Sequence, residues 1–110
     1  MTQEQAQNRI NEVQETYREW LALYEKLEQA HQDFIKSSQL MQKMEQFYFG
    51  GEYQEISNQM ENGLQLDLTT AGEYSVMSED ALWNAFHEQQ SLLWKQLKFA
   101  VKELDKEVQD

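Results

Sequence analysis

The sequence predicts an all-α protein: a long antiparallel helical hairpin with a shorter, bent helical segment in its middle and no sheet. Three observations predict it. The chain of 110 residues contains no proline, so no residue forces a break in the interior of a helical hydrogen-bond ladder. Gln, Glu, Leu, Ala and Lys, all strong helix formers, dominate both ends. Apolar residues at both ends recur in steps of three and four, the spacing that gathers side chains on one helix face.

The first helix is expected over about residues 3–36. Ile10, Val13, Tyr17, Trp20, Tyr24, Leu27, His31 and Phe34 alternate strictly in steps of three and four, as the seam positions of a coiled coil do. At about 1.5 Å per residue such a helix spans on the order of 50 Å. The next apolar set, Leu40, Met41, Met44, Phe47 and Tyr48, also has helical spacing. At about 100° per residue it lies far round from the first stripe. A kink or break near Ser37 and Ser38 reconciles the two sets and sets off a second helix over about 38–49. Gly50-Gly51 ends that helix, because paired glycines weaken a helix and admit positive φ. A short helix over about 52–61 carries Tyr53, Ile56 and Met60. Asn62-Gly63 then reads as its C-cap, ahead of an irregular connector over 62–77.

Ser78, Glu79 and Asp80 announce the last helix, expected over about 79–108. The serine hydroxyl can accept from free amide groups, and the two carboxylates suit the positive end of the helix dipole. Its seam is Leu82, Phe86, Leu93, Leu97, Ala100 and Leu104, flanked by Trp83, Trp94, Val101 and Val108, with Lys95, Lys98, Lys102 and Lys106 on the side facing water. The two long helices are expected to pack on each other in one helical domain. A second apolar line, Ala85, Leu92 and Phe99, lies away from that seam. Either the middle segment covers it, or Leu92 and Phe99 are a self-association contact in a homodimer. The first helix also has a wide apolar face that includes Leu21, Leu23 and Ala30.

Composition narrows the function classes. The formal net charge of -11 repels a phosphate backbone, whose binding draws on clustered Lys and Arg, so no nucleic-acid ligand is expected. The acid is concentrated in residues 50–77, where Glu52, Glu55, Glu61, Asp67 and Glu73 meet no Lys or Arg. That stretch reads as a solvated loop or, alternatively, as a docking surface for a basic partner. With no cysteine there is no disulfide framework, thiolate zinc site or cysteine nucleophile, and a reducing, cytoplasmic setting is expected. No apolar run approaches the ~18 residues of a membrane span, and the polar start has no leader-like apolar stretch, so no membrane is expected as a partner.

Catalytic patterns are sparse. Glu28 and His31 have the Glu-x-x-His spacing of a carboxylate-bridged metal site, but such a site needs a second copy, and Asn84 stands three before His87. Both histidines therefore read as structural. Glu79 and Asp80 are explained by their place in a first helical turn. No Gly-x-Ser-x-Gly, phosphate-loop, dinucleotide or calcium-loop pattern occurs. Neither an enzyme activity nor a cofactor or metal is expected. The most unusual local feature is Phe47-Tyr48-Phe49 followed by Gly50, Gly51 and Tyr53. Three consecutive aromatics at a helix end cannot all face one core, so at least one should line a groove or interface. Phe47, Tyr48, Phe49 and Tyr53 are the candidate partner-binding residues, with plain core packing of the hairpin tip as the alternative.

These aromatics also carry a resemblance. Phe47-Tyr48-Phe49-Gly50-Gly51-Glu52-Tyr53 and Val76-Met77-Ser78-Glu79-Asp80-Ala81-Leu82-Trp83 resemble the two marked blocks of a bacterial family of small helical proteins, domain of unknown function forty-two ninety-eight. That family has a long heptad-like helix, a Tyr-Tyr-Gly-Ser-x-x-Trp block, and a connector ending in Val-Leu-Ser-Glu-Asp before a final helix. The second block matches almost throughout. The first departs at Phe47, Gly51 and Tyr53. The resemblance runs from about Arg9 to Leu104 and implies a helical fold and a bacterial cytoplasmic setting, with no activity, substrate or site residue. The reading that follows is a noncatalytic protein–protein interaction or adaptor protein that self-associates. The alternatives are a small secreted-type helical hairpin, which would want a tail signal where no tyrosine follows Tyr74, and an acidic nucleic-acid mimic.

Overall fold

The structure is a computed structural model that describes residues 1–108, with side-chain surroundings for residues 1–106. It is all-α, with three helices in the order α1 (Gln3–Phe49), α2 (Glu52–Glu61) and α3 (Ala81–Val108). Among the described residues there is no strand, and no helix is long and apolar enough to cross a membrane. The chain divides into two compact units, Met1–Leu40 and Met41 onward. Val108, expected beside the α3 seam, has its side chain outside the described residues.

α1 corrects one expectation. The break near Ser37 and Ser38, and with it the separate helices over about 3–36 and 38–49, does not occur: the helix runs unbroken for 47 residues. Two serines lower helix propensity by only about 0.5 kcal/mol each relative to alanine. With no proline or glycine between Gln3 and Phe49, nothing interrupts the i→i−4 ladder. The two apolar sets therefore lie in one helix. At its start, the Thr2 hydroxyl accepts from the Gln5 amide (3.1 Å) and the Gln5 side chain accepts from the Thr2 amide (2.9 Å), a reciprocal capping pair.

The first unit, Met1–Leu40, is helix throughout from Gln3, and no residue of α1 is buried. Along its stripe only Phe34 is half-buried. Ile10, Val13, Tyr17, Trp20, Tyr24 and Leu27 are 44–62% exposed.

The second unit holds the core. It begins with the last two turns of α1, where Met41, Met44, Phe47 and Tyr48 are half-buried. The helix stops at the paired glycines for two different reasons. A Cβ on Gly50 would stand 2.3 Å from the Gln46 carbonyl oxygen, and Gly51 turns the chain with φ of 104° to open α2. α2 ends as expected at Asn62-Gly63. The Leu64 amide donates to the Gln59 carbonyl (2.9 Å) and the Gly63 amide to the Met60 carbonyl (3.1 Å), with Gly63 at φ 105°. That is a Schellman closure.

From Asn62 to Asp80 the chain is irregular. The Ser78 amide donates to the Ser75 carbonyl (3.0 Å), and α3 opens at Ala81, whose preceding residue Asp80 accepts from the Asn84 amide (2.8 Å). The start thus falls two residues after the expected position because Ser75–Ser78 closes a turn of its own. In α3, Leu82 is buried at 4% exposure, with Ala81, Ala85, Phe86 and Gln89 half-buried around it. From Ser91 to Lys106 every residue is exposed.

Candidate interaction surfaces

Three groups of apolar residues were candidates, and the structure treats them differently. The first is the aromatic tip. Phe47 and Tyr48, on successive positions of the last α1 turn, and Tyr53, in the first turn of α2, converge because Gly50 and Gly51 fold the two helix ends together. Tyr48 and Tyr53 ring centroids lie 4.8 Å apart and Phe47 meets Tyr53 edge-on at 6.2 Å. Phe86 from α3 closes the cluster. It meets Tyr48 edge-on at 5.6 Å and stacks on Phe49 at 5.7 Å with 28° between planes. Such pairs contribute about 0.5–1.5 kcal/mol each beyond the area they bury. The Tyr53 hydroxyl also donates to the Met77 carbonyl (3.4 Å), tying the connector to the tip.

Phe47, Tyr48, Tyr53 and Phe86 are all half-buried, so these rings hold the second unit together. Of the four tip candidates only Phe49, 66% exposed, presents a ring face outward. Phe86 was read from the sequence as one seam residue among several. Its place at the hub is set by contacts with residues almost 40 positions away, which periodicity cannot show.

The second group is on α3. Of the line Ala85, Leu92 and Phe99, Ala85 is half-buried while Leu92 (43%) and Phe99 (64%) are exposed. The distal seam residues Leu93, Leu97 and Leu104 are exposed too, with Trp94 and Val101 beside them. Trp83 packs edge-on against His87 at 4.5 Å.

The third group is the α1 stripe. Tyr17, Trp20 and Tyr24 form a ladder of stacked rings, 6.4 Å and 5.0 Å between successive centroids. A hydrogen bond to the Glu28 carboxylate, and then its negative charge, hold the Tyr24 hydroxyl above the ordinary phenol range. Glu28 is thereby occupied on the helix surface beside His31, which is exposed. Arg9 pairs with Glu12, and Arg18 with Glu15, so these cations are neutralised along their own helix and leave the stripe uncharged. Among the described residues no three His, Asp or Glu side chains are placed to hold a metal ion together.

What these surfaces can do chemically is bury area. Their members are aromatic and aliphatic side chains on helices, with hydroxyls at the ring edges. The fold class is that of a small helical protein with open apolar faces. Residues 10–99 match a domain of unknown function, DUF4298, and the chain belongs to that family. No curated protein and no solved structure matches it.

Proposed function

We propose that this protein is a noncatalytic interaction protein of the cytoplasm that binds other protein chains, its own copies among them, through the exposed apolar faces of α1 and α3. The observation that supports this reading is the distribution of burial. Leu82 alone among the described apolar residues is buried, while Ile10 to Leu27 on α1 and Leu92 to Leu104 on α3 keep large apolar side chains in water. Contiguous exposed apolar surface of that kind marks association sites on soluble proteins. Trp, Tyr and Phe, the residues most concentrated there, are also those that dominate interface energetics. The groups on these faces supply contact area rather than a nucleophile and base, in keeping with a protein that binds rather than catalyses.

The test is capture from the native cell with the tagged full chain, run beside a Leu92→Asp/Phe99→Asp variant and a Tyr17→Glu/Trp20→Glu variant. All four positions are exposed, so the variants keep the Leu82-centred unit intact. A stoichiometric chain retained by the wild type and lost from at least one variant supports the reading. Retention of every captured chain by both folded variants overturns it.

A further inference from the structure

The α1 stripe admits a more specific statement, which rests on the interaction reading above. Ile10, Val13, Tyr17, Trp20, Tyr24 and Leu27 are 44–62% exposed, so no described residue of this chain buries their stripe.

We infer that the occupant is a second copy of this protein, whose α1 packs antiparallel on the same stripe so that Ile10 faces Leu27, Val13 faces Tyr24 and Tyr17 faces Trp20 of the other copy. The stripe fits itself in that register. Every first seam position meets a second seam position of the partner, the pairing that lets knobs enter holes along an antiparallel pair. Small side chains meet large ones: Val13 meets Tyr24, and one turn further out Ala6 meets His31. A parallel pairing would instead set Trp20 on Trp20 and His31 on His31.

Charge permits the contact. Residues 3–27 hold Glu4, Glu12, Glu15, Glu19 and Glu25 against Arg9, Arg18 and Lys26, a net of -2 out of the -11 of the whole chain. The two arginines are already paired within their own helix. The residues beside the seam, Leu21 and Leu23, are apolar and exposed, which widens the face without adding like-charge repulsion. At their exposures on the single helix, the stripe from Ile10 to Leu27 with Leu21 and Leu23 presents on the order of 700 Å² per copy, close to the ~800 Å² per partner of a standard interface.

Sedimentation velocity of the full chain between about 1 and 100 μM, with cysteine pairing, tests it. The wild type should sediment as a dimer. Tyr17→Glu/Trp20→Glu should weaken the dimer roughly a hundredfold or more, since two carboxylates from each copy would be buried unpaired, while unfolding of the Leu82-centred unit stays unchanged. The chain has no cysteine of its own, so single cysteines report register cleanly. Val13→Cys mixed with Tyr24→Cys should give a crossed disulfide dimer. Val13→Cys alone should not, because its two copies would lie about 16 Å apart along the axis. A wild type that stays monomeric overturns the inference, as does a Val13→Cys protein that cross-links to itself. A dimer that survives Tyr17→Glu/Trp20→Glu overturns it too. A monomer that still captures another protein, or a dimer lost only with Leu92→Asp/Phe99→Asp, defeats this contact and leaves the interaction reading standing.

Discussion

The two units differ in a way that separates regularity from burial. Met1–Leu40 carries the most regular pattern in the chain, eight stripe residues in unbroken steps of three and four, and it buries none of them. The unit from Met41 onward carries a broken pattern interrupted by Gly50, Gly51 and Gly63, and it contains the buried leucine and the aromatic cluster. A strict heptad stripe shows which face of a helix seeks cover; it does not say that this chain supplies the cover. Burial arises where the chain turns back on itself, and here that takes glycines at positive φ and a connector pinned by Tyr53.

The sharpest break of this comparison is Leu82→Ala. Removing the most buried side chain should destabilise the second unit by about 3 kcal/mol, the transfer and cavity cost of such a truncation. Denaturant unfolding followed by near-ultraviolet dichroism of its tyrosines would read the change. Leu27→Ala, the same chemistry at a 62% exposed site, should leave that transition within about 0.5 kcal/mol of the wild type. Equal effects from the two would erase the distinction between the units. Phe86→Ala comes next. It removes the ring that meets both Tyr48 and Phe49 but is only half-buried, so about 2 kcal/mol is expected.

Much of this was legible in the sequence, and what was legible is local. The stop after Phe49, the α2 limits at Glu52 and Glu61 and the Asn62-Gly63 closure follow from backbone preferences within a few residues. Where reading ran past what a stretch decides by itself, it failed. Ser37 and Ser38 do not break α1, because neither removes a donor from the i→i−4 ladder and their propensity cost is small. Of the successive aromatics Phe47, Tyr48 and Phe49, which cannot all face one core, Phe49 is 66% exposed and the other two are half-buried. Which of them stays outside depends on contacts with Tyr53 and Phe86 that the local pattern does not hold. Phe86 could not be singled out, since nothing within its own helix distinguishes it from Leu93.

The glycine pair sharpens the comparison at smaller scale. Gly50→Ala should cost about 1–2 kcal/mol, because its methyl would meet the Gln46 carbonyl oxygen at 2.3 Å and the backbone would have to shift. Gly51→Ala meets no neighbouring atom and suffers only its φ of 104°, a cost of about 1 kcal/mol. Thermal melts of the two variants should rank in that order. The reverse ranking would mean that the turn between α1 and α2 is held by conformation and not by close approach.

The smallest effect belongs to the irregular connector, at Asp67. The Thr69 amide donates to its carboxylate at 2.9 Å. That backbone hydrogen bond, followed by one from the Thr69 hydroxyl, holds the Asp67 carboxyl below its ordinary value. A lowered folded value means a contribution to stability that is present above the ordinary aspartate range near pH 4 and lost as pH falls through the lowered value. The group is fully exposed, so solvent screening keeps that contribution slight. Carbon-detected titration of the wild type should place the Asp67 midpoint below that of a free aspartate. Asp67→Asn, which keeps the acceptor oxygen but cannot titrate, should leave stability at neutral pH nearly unchanged and flatten the acid limb only below about pH 4. An Asp67 midpoint at or above the free value would mean that the turn at Thr69 does not persist in solution.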